Sequence, residues 1–142
     1  MGEELASANV NRAYSLAATS IAIFTFLLIF LYPRYASGEV DPRLFQVTLV
    51  VMGVATFSFA FASFYYSAVS VGGRLEEADR SRLSRRADHF WVFGTVLLFL
   101  DPSLILLTVR LYAVAAAWFG LWLVYLIFVV RNFSRVETAR KG

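Results

Sequence analysis

The chain has no cysteine, which excludes disulfides, thiolate metal sites and cysteine nucleophiles. It has one histidine, His89, and a single imidazole does not make a metal site by itself. Charged residues are scarce, at 16% of the sequence, against roughly 25% in a soluble domain. Several signature motifs of catalysis and conduction are also missing. There is no GxSxG elbow, no TVGYG filter, no regular arginine repeat and no paired carboxylates of a di-iron bundle. No enzyme activity, cofactor or bound metal is therefore expected. The first fifteen residues place Glu3 and Glu4 ahead of Arg12 and contain no short apolar core with a cleavage site. They do not read as a signal peptide, and Glu3, Glu4 and Ala6 fit an N-myristoylation motif poorly.

What the chain has instead is apolar residues, 59% of 142 positions, with a mean hydropathy of +0.65. They are gathered into blocks close to the ~20 residues that cross a bilayer. The expected fold is an all-α integral membrane protein, a four-transmembrane-helix bundle forming a single domain over residues 1–142. The spans are expected at about 14–32, 44–71, 86–100 and 102–131, with a basic loop at 74–88 and a basic, frayed tail at 132–142. Pro33 is expected to stop the first helix, because an interior proline loses a backbone bond. Asp41-Pro42 reads as a helix start, a capping side chain followed by a proline whose missing N–H costs nothing there. Asp101-Pro102 repeats the pattern, so the last turn is expected there.

The net charge of +3 does not point to nucleic acid, because the basic residues fall where membrane topology puts them. Arg12, the five arginines between 74 and 86, and Arg131, Arg135, Arg140 and Lys141 share one side, which is ten of the thirteen. Arg34, Arg43 and Arg110 lie towards the other. The positive-inside rule then puts both termini in the cytoplasm of a multi-pass protein, in a plasma or inner membrane. Arg80, Arg82, Arg85 and Arg86 are candidates for contact with anionic lipid headgroups. Glu76 and Arg80, four apart, have the spacing of a helical ion pair.

Lipid tails are as apolar as leucine, so helices in a bilayer associate by close packing and hydrogen bonding. A line of small residues follows the second span: Gly53, Thr56, Ala60, Ser63, Ser67 and Ser70. A second line, Asn11, Ser15, Ala18, Ala22 and Thr25, occupies the first. The two are expected to meet seam to seam in an antiparallel hairpin. The alternative is that the hydroxyls line a narrow wet path gated by neighbouring phenylalanines. The fourth span carries the small-xxx-small pairs Ala113/Ala117 and Ala116/Gly120.

Arg110 is expected about two turns inside the fourth helix, and an intramembrane charge is by default a functional hypothesis. Asp101 is its candidate counter-ion, and the two together form a possible permeation site. The leading expectation is a channel or transporter component acting as a homo-oligomer. The alternatives are a non-catalytic accessory subunit with a membrane partner, or a lipid-binding module.

Overall fold

A computed structural model describes the backbone of residues 2–71 and 76–139, and the side-chain surroundings of residues 7–71 and 76–131. The described chain is helical apart from its turns. It forms α1 (Gly2–Ala36), α2 (Pro42–Val71), α3 (Glu77–Thr108) and α4 (Tyr112–Ala139). All four are long and apolar enough to cross a membrane. Gly72 and Gly73, whose pairing suits a helix stop after the second span, and Arg74 lie outside the described residues, as do the side chains of the tail. The backbone of that tail continues α4 to Ala139, where a frayed segment was expected.

The extensive packing runs in series: α1 on α2, α2 on α3, and α3 on α4. The buried positions of α2 include Phe45, Thr48, Met52, Ala55, Phe59, Ala62, Tyr66 and Val69. These recur at steps of three and four, the heptad spacing that keeps one seam facing a partner. On α3 the matching line is Ala87, Gly94, Asp101 and Thr108, each seven after the last and each buried. Its clearest reason is at Gly94. A Cβ there would sit 3.1 Å from Phe59 Cε1 and 3.1 Å from Ser58 Cβ. Glycine thus opens the space that the fully buried Phe59 ring fills. At the amino-terminal end of α3, Ala13, Ala62, Tyr66 and Ala87 form one core cluster. At the other end Leu27, Leu31 and Phe45 form a second.

The two small seams do not meet. Asn11, Ser15, Ala18, Ala22 and Thr25 are all exposed, and α1 buries Ala13, Ala17, Ser20, Leu27 and Leu31 instead. The buried line of α2 runs one residue ahead of the expected one. Ser63 is buried, Gly53, Thr56, Ser67 and Ser70 are half-buried, and Ala60 is exposed. The hydroxyls of Thr56 and Ser70 donate to their own helix, to the Met52 and Ser67 carbonyls at 2.9 Å each. The period expected from the sequence is present, but its phase differs. Bulky Phe59, Met52 and Tyr66 share the contact face with alanines, so size alone does not mark it.

Pro33 does not end α1. The helix reaches Ala36 and closes with two bonds, Gly38 N–H to the Tyr35 carbonyl (3.1 Å) and Glu39 N–H to the Arg34 carbonyl (2.9 Å). This is a Schellman cap, with Gly38 in the left-handed conformation (φ 79°) that glycine adopts without a Cβ clash. Asp41 then caps α2 as expected, its Oδ1 accepting from the N–H groups of Arg43 (2.9 Å) and Leu44 (3.0 Å).

The expected turn at Asp101-Pro102 is corrected. Pro102 lies inside α3, which continues to Thr108. Membrane-type helices tolerate interior proline, because neighbouring groups and small backbone adjustments absorb the freed carbonyl. The turn falls at residues 109–111. Arg110 N–H donates to the Leu107 carbonyl (3.0 Å) and Leu111 N–H to the Leu106 carbonyl (2.9 Å). This is a second Schellman cap, with Arg110 (φ 63°) in the place glycine usually takes.

Candidate functional site

The continuation of α3 through Pro102 to Thr108 separates the two residues expected to act together. Arg110 is an exposed turn residue between α3 and α4, not a charge two turns inside a helix. Asp101 moves the other way. It is 1% exposed and sits seven residues before Thr108, about 10 Å along the helix. Neither carboxyl oxygen has a hydrogen-bond partner.

The packing of α3 on α2 explains this isolation. Thr108 meets Thr48, their hydroxyls 3.3 Å apart, and Gly94 meets Ser58 and Phe59. That antiparallel register places Asp101 opposite the stretch between Met52 and Ala55. Both are buried and apolar, so neither side chain offers a donor. Ser103 is also buried with an unpartnered hydroxyl. Two residues on, it lies about 200° around a helix of 3.6 residues per turn, away from the face of Asp101. Closer along the backbone is the Leu98 carbonyl. It loses the N–H that a residue other than proline at position 102 would aim at it. A carboxyl and a main-chain carbonyl thus lie within about one helical turn.

The opposite end of α3 holds a second constellation. The Tyr66 hydroxyl donates to Asp88 Oδ1 at 2.6 Å, tying α2 to α3. Nothing in the sequence marks this pair, since the line expected along α2 passes through Ser63 and Ser67 and misses Tyr66. Arg82, Arg85 and Arg86 come together with His89 and Phe90 around a pocket of ≈ 380 Å³. Their spacing of three, four and seven residues puts them on one helix face. The His89 ring is held by its Nδ1, which lies 2.6 Å from the Arg85 carbonyl. Arg80 does not join this group. It is half-buried, and its Nε has no hydrogen-bond partner. Glu76 reaches it through the backbone alone, the Arg80 N–H donating to the Glu76 carbonyl at 3.0 Å.

α4 is held by few specific contacts. Trp122 Nε1–H donates to the Val96 carbonyl (2.9 Å), and Tyr125 packs on Phe99 with ring centroids 4.8 Å apart. Ala113, Ala116, Ala117 and Gly120 are all exposed, so the small-xxx-small pairs are unused within the chain. Among the described residues, no three His, Asp or Glu side chains converge as a metal-holding group. Comparison with known protein families, curated proteins and solved structures finds no match to this chain.

Proposed function

We propose that this is an integral membrane protein of four spans with both termini in the cytoplasm, and that it acts as a permeation component for a proton or small monovalent cation. The carrying observation is Asp101, a carboxyl enclosed in the α2–α3 seam without a hydrogen-bond partner. Polar burial without compensation is costly, and an ionisable residue at membrane depth marks an ion or proton pathway by default. A proton or a cation taken up between the carboxyl and the Leu98 carbonyl offsets that cost, and its release regenerates it. Buried on all sides, Asp101 exchanges its ion through movement of α3 against α2. Orientation rests on the positive-inside rule, with Arg12, Arg80, Arg82, Arg85, Arg86 and Arg131 at one end of the described helices and Arg34, Arg43 and Arg110 at the other.

The test is flux into liposomes carrying the purified protein, driven by an imposed pH or sodium gradient and read with an ion-sensitive dye. Asp101→Asn keeps the shape and removes the exchangeable carboxyl. Flux is expected from the native protein and not from the variant. Equal flux from both, with both folded, removes Asp101 from the pathway.

A second reading is favoured by α4. Only 6% of its most apolar stretch is buried, against 39% for α2. Its small face suits close approach of another helix, either in a second copy, as a homo-oligomeric carrier requires, or in another subunit that this chain supports. A cysteine placed at Gly120 distinguishes them by crosslinking in native membranes. A product of twice the chain mass indicates a homo-oligomer, and any other mass an accessory role.

A further inference from the structure

The arginine face of α3 does not end in open surface. Phe90, which closes the basic pocket, also forms one wall of an apolar groove of ≈ 460 Å³ between α2 and α3. The groove is lined by Val50, Gly53, Val54 and Phe57 along α2 and by Phe93 on α3. Phe90 packs against two rings of α2, Phe61 (5.5 Å between centroids) and Tyr65 (5.7 Å, 11° between planes). The basic pocket and the apolar trough therefore share one ring as a common wall.

We propose that this combined site binds one anionic phospholipid, its phosphate on Arg82, Arg85 and Arg86 and one acyl chain in the groove. Charge and length both select this occupant. Three guanidinium groups on one helix face match phosphate oxygens, with which arginine makes strong charge-assisted bonds. Asp88, the carboxylate between Arg86 and His89 in sequence, is turned away from them by its bond with Tyr66. From Val50 to Phe61 the groove extends about 16 Å at 1.5 Å per residue. That is close to one leaflet, half of the ~30 Å hydrocarbon core. The basic end is the one assigned to the cytoplasm, where anionic lipids concentrate. An opening beside Gly53 leaves room for the chain, since a Cβ there would meet no atom within 4 Å.

The test is native mass spectrometry of the full chain released from mixed micelles of phosphatidylcholine and phosphatidylglycerol, with apparent affinity from lipid titration. The native protein is expected to retain one phosphatidylglycerol in preference to phosphatidylcholine. Neutralising the headgroup pocket with Arg82→Gln, Arg85→Gln and Arg86→Gln lowers affinity by roughly 5-fold per arginine, the contribution of a basic residue near a lipid surface. Gly53→Leu fills the trough without touching the charges and releases the lipid while leaving the chain folded. That variant keeps the test decisive if the triple substitution does not fold. Retention of phosphatidylcholine as tight as phosphatidylglycerol overturns the proposal, and so does Gly53→Leu binding at native strength. Glycerol phosphate competing as strongly as the whole lipid reduces the site to an anion pocket and overturns the acyl-chain assignment.

Discussion

The two turns at the end of the molecule away from the basic loop, residues 37–41 and 109–111, close their helices with the same hydrogen-bond pattern from opposite chemistry. The first has Gly38 in the left-handed position, then Asp41-Pro42 to begin the next helix. The second has Arg110 in that position, and its Asp-Pro pair lies eight residues upstream, inside α3. The same dipeptide therefore does two unlike things. Asp41 spends its carboxylate on two backbone N–H groups at a helix start. Asp101 has a complete turn of helix ahead of it, where N–H groups are already committed, and receives nothing. A residue type that stabilises a helix end is a liability in a helix interior, and its presence there points to use rather than architecture.

Removing the carboxyl at each site is expected to have opposite effects at the two aspartates. Asp101→Leu keeps the branching at Cγ and replaces a buried unpartnered group with an apolar one. Stability is expected to rise by about 1–3 kcal/mol, the usual penalty of an unsatisfied buried polar group, while cation flux disappears. A denaturant titration of the detergent-solubilised protein reads the first, and the liposome assay reads the second. A loss of stability instead means that Asp101 holds a bond essential to the α2–α3 seam.

Asp41→Ala is expected to act in the opposite direction and to cost about 1 kcal/mol, the typical value of a lost N-cap. Flux should survive, since Asp41 lies in a turn and its carboxylate is engaged by the Arg43 and Leu44 N–H groups. The pair of variants thus separates a structural aspartate from a functional one by sign, with the same titration. Stability changes of one sign at both positions would erase the distinction.

This contrast also explains what could be read from the sequence. The number of spans follows from hydropathy, because the length of an apolar block is fixed by the membrane. The start of α2 is legible, since Asp41-Pro42 carries a local backbone preference, whereas the end of α1 is misplaced to Pro33, which the helix passes through to Ala36. The 109–111 turn is not. Val109, Arg110 and Leu111 have no such preference, and the Asp-Pro pair nearby is a better imitation of a start than the true one. Helix faces were legible in period only. In water, polar residues reveal the outer face of a helix, but in lipid both faces are apolar. Phe59 in the seam and Phe57 outside it look alike until Gly94 shows which one has a space to enter. The carboxyl of Asp101 was visible as unusual. Its isolation depended on Met52 and Ala55, nearly fifty residues away. The grouping of Arg82, Arg85 and Arg86 was legible from helical spacing, whereas the groove beside them needed two helices.

The smallest expected effect lies at Arg110 itself. A left-handed residue with a Cβ is strained by roughly 1–2 kcal/mol, which Arg110→Gly relieves. Two terms oppose the gain. Glycine adds freedom to the unfolded chain, about 0.5–1 kcal/mol, and a cation near a helix C-terminus contributes about 0.3–1 kcal/mol through the helix dipole. The net change is therefore expected to be centred near zero and within about 1 kcal/mol of it on these opposing magnitudes. Arg110→Asn tests the balance, because asparagine tolerates the left-handed region without glycine's full entropy. It should match or exceed the glycine variant in the same denaturant titration. Neither substitution should alter cation flux, since the side chain is exposed in a turn and away from the Asp101 carboxyl. Lost flux in a folded Arg110→Gly protein would restore the arginine to the pathway and remove the distinction between a positive charge that shapes a turn and the buried acid proposed to exchange an ion.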